Sequence, residues 1–131
     1  MKLALENQQE NEDLMRLSME EAGIAIREGN GAFGVVVIDT GGSVVWRDHD
    51  RISELCDPTA HGEVNSICYL CKTLTTNSLK GYKFVTTSEP CPMCMAAMIK
   101  IQVSECVYGA RTESTASLSL SAEVMASHAT K

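Results

Sequence analysis

Two short stretches carry residue types capable of chemistry: His61-Gly62-Glu63 and Pro90-Cys91-Pro92-Met93-Cys94. They read H-x-E and then, after 26 intervening residues, P-C-x-x-C. One imidazole and two thiolates fill three of the four tetrahedral positions that zinc prefers, which leaves one open for water. An open position is what a hydrolytic zinc site needs, whereas structural sites usually close it with a fourth side chain. His61, Cys91 and Cys94 are therefore the candidate ligands for one Zn2+ per chain. The metal would bring the pKa of its water close to neutral. Glu63, not itself a ligand, would take that proton and pass it on, first as general base and then as general acid.

Each half of the pattern is weak alone, and the chain supplies its own warning. Cys68-Tyr69-Leu70-Cys71 is a second C-x-x-C, placed mid-helix without flanking prolines. It reads as a pair of buried, inert cysteines, with an auxiliary metal or redox role as the alternative. His49 and His128 belong to no motif and read as surface residues. Cys56 and Cys106 have no assigned role.

The elements that must position these groups follow from periodicity and turn chemistry. Residues 1–12 are polar after the first five and read as a flexible, frayed lead-in to a single domain over 13–131. From Asp13 to Glu28 the apolar residues Leu14, Leu17, Ala22, Ala25 and Ile26 share a helical face, and Gly29-Asn30-Gly31 closes the helix. Phe33 to Ile38 is a continuous apolar run, expected as a strand buried on both faces. Thr40-Gly41-Gly42 turns it back into a second strand over 43–47. Asp48 to Cys56 reads as a loop. Asp57-Pro58 then looks like an N-cap and first residue of a helix reaching about Thr73, with His61 in its first turns. A strand over 80–87, a helix opened by Pro90 and Pro92, and a strand at Glu105–Tyr108 form a crossover unit, so those two strands should be parallel. Both ligand groups thus fall at helix N-termini, where the partial positive charge favours thiolate. The fold class is α/β, a three-layer α/β/α sandwich on a mixed sheet. After Ala110 the chain is rich in Ser, Thr and Ala, with one possible helix at 119–127.

Length and composition bound the function. A chain of 131 residues, 44% hydrophobic and 21% charged, has the make-up of one ordinary globular domain. No apolar run approaches the ~20 residues of a membrane span. No signal peptide is visible, which makes a cytoplasmic protein with reduced thiols the expectation. The net charge is −6 and basic residues are scattered, so a nucleic-acid partner is not expected.

With these residues in view, the chain resembles the cytidine deaminase superfamily, in the branch acting on nucleobases. Asp57-Pro58-Thr59-Ala60-His61-Gly62-Glu63 is similar to the D-P-T-A-H-A-E segment of bacterial guanine deaminases and tRNA adenosine deaminases. Glu89-Pro90-Cys91-Pro92-Met93-Cys94 is similar to their E-P-C-P-M-C. Gly31-Ala32-Phe33-Gly34 resembles the G-P-F-G turn of guanine deaminases, and Gly62 in place of alanine resembles the H-G-E of fungal cytosine deaminases. The resemblance spans roughly residues 13–111. It implies zinc-dependent hydrolytic deamination, with a guanine-like free base first, then cytosine, then tRNA adenosine, and a homodimer as the assembly. It also implies that Phe33 stacks on the base and that the backbone at Ala60 and Cys91 contacts it. Phe33 could equally be a core residue at a strand start.

Two departures stand out. Where the family has asparagine, this chain has Asp50, whose carboxylate accepts hydrogen bonds but donates none. A ring carbonyl facing it would be repelled and an N–H favoured, unless Asp50 faces solvent or pairs with Arg47 or Arg51. Family members also continue into a fifth strand and a C-terminal helix, neither of which is recognisable here. A more open pocket, one completed by a partner, or a catalytically silent zinc-binding subunit are the corresponding expectations.

Overall fold

The structure is a computed structural model describing residues 1–5 and 9–110. Strands β1 (Lys2–Leu5), β2 (Gly34–Ile38), β3 (Val44–His49), β4 (Lys83–Ser88) and β5 (Glu105–Ala110) form one sheet in the order β1-β5-β4-β2-β3. β1, β5 and β4 run parallel, whereas β2 is antiparallel to both β4 and β3. Helices α1 (Gln9–Arg27), α3 (Gly62–Leu74) and α4 (Pro92–Lys100) flank it, and α2 (Ile52–Leu55) is a single turn. The three-layer mixed sandwich expected from the sequence is present.

The layers follow from which side chains each strand sends to each face. Along β2, Val35 and Val37 enter a core with Leu70, Phe84, Met95 and Met98, beneath α3 and α4. Val36 and Ile38 point the other way, to Met15, Val85 and Val107 beneath α1. All five β2 residues are buried, as the unbroken apolar run predicts. Helix α1 ends as expected. Asn30 N–H donates to Ala25 O and Gly29 N–H to Ile26 O, with Gly29 at φ +84° taking the left-handed position.

Several boundaries differ from expectation. The lead-in over 1–12 holds a strand and the start of α1 instead of frayed chain. Lys2–Leu5 pairs with 105–108, and Met1 and Leu3 pack against the α3/α4 core. An uncovered β5 would present a row of unpaired backbone groups, so this edge is a favourable place for a short apolar segment. Among the described residues the fifth strand of the sheet is thus one that precedes the motifs. The 119–127 helix lies outside the described residues. The segment read as a loop contains α2, whose N–H groups at Ser53 and Glu54 are capped by Asn30 Oδ1 at 3.1 Å each. Asp57 does not cap the following helix: its Oδ1 accepts from Thr59 N–H and hydroxyl, forming a separate turn, and α3 begins only at Gly62.

Candidate metal and active site

His61 is the N-cap of α3 and Cys91 the N-cap of α4, with Cys94 in the first turn of α4. Neither cap residue bonds the helix through its side chain, so both side chains are available to a ligand. Pro92 opens α4 without an N–H to leave unsatisfied. His61 Nδ1 lies 3.5 Å from Cys91 Sγ and 3.4 Å from Cys94 Sγ. A tetrahedral zinc with ordinary Zn–N and Zn–S lengths separates such a nitrogen and sulfur by about 3.6 Å. The donor set and its spacing therefore fit zinc.

The electrostatics agree with that fit. Cys91 is lowered to about 5, first by a hydrogen bond from the Cys94 thiol and further by the N–H groups of Cys94 and Met93 at the start of α4 and by His61. Cys94 is pushed up in turn, because the neighbouring Cys91 thiolate takes its proton in a hydrogen bond and its site is buried. One negative charge thus sits on the pair before any cation arrives. A cation would draw off the second proton.

Glu63, 7% exposed, lies in the first turn of α3, two residues beyond His61. Burial pushes its carboxyl up to about 6, and it is within hydrogen-bonding reach of the Cys94 thiol. Beside these groups opens a pocket of about 320 Å³, lined by Phe33, Asp50, His61, Glu63, Cys91 and the end of β4. That is the size of a small-ligand site. Phe33 is half exposed at this pocket rather than buried in the core. Asp50 also lines it, buried and unpaired with either nearby arginine. Arg47 meets Glu20 and Glu21, while Arg51 meets Asp48 and Glu54. Ala60 does not line the pocket. Its N–H donates to Asp57 O, and its carbonyl accepts from Arg51 N–H and from Asn65 Nδ2.

Three features escaped sequence reading. Thr86, Thr87 and Ser88 line the pocket because β4 ends there, and a strand pattern alone does not say which end meets a ligand. Asn65, inside the α3 pattern, donates to His49 O (3.1 Å) and Ala60 O (3.2 Å), tying the end of β3 to the loop that carries His61. His49, expected at the surface, is 3% exposed, with Nδ1 2.9 Å from Glu21 and Nε2 2.8 Å from Glu28. Cys68 is exposed and Cys71 half-buried, so neither is a core cysteine, and neither joins a group able to hold a metal among the described residues.

Fold and donor set together define a class: an α/β protein that places a zinc-type His/Cys/Cys site beside a buried carboxylate. Residues 8–110 match the family described as the cytidine and deoxycytidylate deaminase zinc-binding region, and the chain belongs to that family. It is 30% identical over 99 residues to the tRNA-specific adenosine deaminase of Aquifex aeolicus, covering 76% of this chain and 65% of that protein. It is 37% identical over 68 residues to the guanine deaminase of Bacillus subtilis, covering 52% of this chain and 43% of that one. The X-ray structure of the B. subtilis guanine deaminase superposes with a TM-score of 0.74 at 25% identity, covering 92% of this chain and 76% of that chain. The chain spans just under two thirds of the Aquifex protein and less of the guanine deaminase. A relative named for tRNA is thus matched over more of this chain than one named for guanine, so the acidic composition does not exclude a nucleic-acid partner. Among the described residues no helix is long and apolar enough to cross a membrane.

Proposed function

We propose that this chain catalyses zinc-dependent hydrolytic deamination of a free nucleobase or related amino-heterocycle, guanine-like first, with His61, Cys91 and Cys94 as the metal ligands. The supporting observation is the buried Glu63 carboxyl, which shares one pocket with the His/Cys/Cys group and with Phe33. In the net reaction a ring C–NH2 and water become a ring C=O and ammonia. Zinc, when bound, supplies Lewis-acid activation of water at neutral pH. Glu63 accepts one proton of the attacking water at its carboxylate and places it on the ring nitrogen, then takes the remaining hydroxyl proton of the adduct and delivers it to the amine, which leaves as ammonia while the carbonyl forms. A carboxyl near 6 can both take and give a proton close to neutrality. Phe33 offers its exposed ring to the flat face of the base. The assembly proposed is a homodimer, which sedimentation at micromolar concentration would test against a monomer.

Cytosine specificity loses its support from Gly62. A Cβ there would come within 2.9 Å of Val35 Cγ2 and 3.3 Å of His49 Cα, so packing of α3 on β2 and β3 explains the glycine. Deamination of adenosine in tRNA stands as the second reading, favoured by the Aquifex relative. The test is ammonia release from amino-purines, pyrimidines and an adenosine-bearing tRNA anticodon stem-loop, with zinc-loaded wild type and Glu63→Gln. Release from one free base that Glu63→Gln abolishes supports the first reading. Release only from the stem-loop supports the second. Zinc binding without release from any of them points to a catalytically silent subunit.

A further inference from the structure

Asp50 is the least explained charged group in the described structure. It is 6% exposed, yet no Lys, Arg or His among the described residues pairs with its side chain. Oδ1 accepts the Ile52 N–H at 2.8 Å, which holds the start of α2. No donor among the described residues meets Oδ2. Gly31 leaves room for Oδ2: a Cβ built on that residue would fall 2.5 Å from Oδ2 and 3.1 Å from the Phe33 ring. Oδ2 and the Phe33 ring therefore sit side by side over a glycine that leaves them room. Both residues line the pocket.

A carboxylate oxygen buried without a donor costs about 1–3 kcal/mol or more, unless a ligand supplies the missing bond. Water can supply it while the pocket is open, but a flat ring stacked on Phe33 displaces that water. The ring must then offer an N–H in its place. A ring oxygen facing Oδ2 would set two acceptors against each other, with no Lys or Arg among the described residues that line the pocket to relieve them. Asp50, Glu63 and Glu89 all line the pocket, and three carboxyl groups so placed disfavour a ligand bearing phosphate or carboxylate beside the ring.

We infer that Asp50 makes this pocket a reader of N–H donors, whose ligand is an uncharged or cationic amino-heterocycle carrying an N–H or NH2 on the edge that meets Asp50. The inference rests on the proposed deaminase reading and narrows it: a guanine-like ring is preferred when an amino group replaces its carbonyl.

The test separates binding from turnover. Zinc-loaded Glu63→Gln is titrated calorimetrically with ring pairs in which a lactam C(=O)–N–H becomes C(–NH2)=N, guanine with 2,6-diaminopurine and isocytosine with 2,4-diaminopyrimidine. The same titrations are run on Glu63→Gln/Asp50→Asn, in which the asparagine oxygen can still accept from Ile52. In the first protein the amino member of each pair should bind roughly tenfold more tightly or better, because an unpaired buried acceptor strongly penalises the oxo ring. Asp50→Asn should bring the pair to near parity or reverse it. Equal or tighter binding of the oxo rings, no binding of any ring, or a preference unmoved by Asp50→Asn would overturn the inference. The first titration decides alone if the double variant does not fold. Ammonia release by wild type on the same four rings is scored separately. The expected binding preference without release would leave the inference standing and remove the deaminase reading.

Discussion

Replacing Glu63 with glutamine should stabilise the metal-free protein, by an amount that depends on pH. The carboxyl is almost fully buried at the start of α3, and desolvation raises it from its ordinary 4.5 to about 6. A carboxyl raised in the folded state favours the protonated form, so its ionisation works against folding. The cost is absent well below pH 4.5, grows between 4.5 and 6, and is complete above. Each pKa unit is worth about 1.4 kcal/mol, which puts the full cost at about 2 kcal/mol. At pH 5, between the two values, less than half of that cost is present. Glutamine keeps the shape and carries no charge, so Glu63→Gln should exceed wild type by about 2 kcal/mol at pH 8 and by less than half that at pH 5. Urea unfolding of chelator-treated, reduced protein at both pH values reads the difference. A gap that is the same at pH 5 and pH 8, or a variant less stable than wild type at pH 8, would refute desolvation as the controlling effect. The same variant, loaded with zinc, should lose about 10²–10⁴-fold in deamination rate. A residue that lowers stability when ionised yet is needed for turnover is the pattern expected of a catalytic carboxylate.

Two further substitutions probe the surroundings. Cys91→Ala should abolish stoichiometric zinc binding, measured by elemental analysis after dialysis, because it removes the more readily ionised of the two candidate thiol ligands; unchanged zinc content would exclude Cys91. Gly62→Ala should cost roughly 1–3 kcal/mol in denaturant unfolding, since the new methyl meets Val35 Cγ2 at 2.9 Å. It should leave the relative rates on different rings unchanged, and a shift toward purines would restore Gly62 as a specificity determinant.

Much of the site was legible before the fold was seen, because metal chemistry is written in residue types and short spacings. H-x-E and P-C-x-x-C single out the candidate ligands and the candidate proton carrier, and the prolines beside Cys91 mark a helix start. Periodicity likewise determined the doubly buried β2, the β2–β3 hairpin and the parallel β4–β5 pair, since each depends on side chains near in sequence. What only the tertiary structure decided depends on partners far along the chain. Lys2–Leu5 is too short to announce itself as a strand and becomes one because β5, a hundred residues on, offers an open edge. His49 looks like any polar residue at a strand end, yet Glu21 of α1 and Glu28 just beyond that helix enclose it. Gly62 looked like a clue to substrate until Val35 was found beside it. Asp50 could have paired with Arg47 or Arg51, until both were found committed to other carboxylates. Local sequence determines which groups can do chemistry and how the backbone near them turns. Which of those groups keep a free bond for a ligand is decided by long-range packing, because only packing settles which competing partners arrive first.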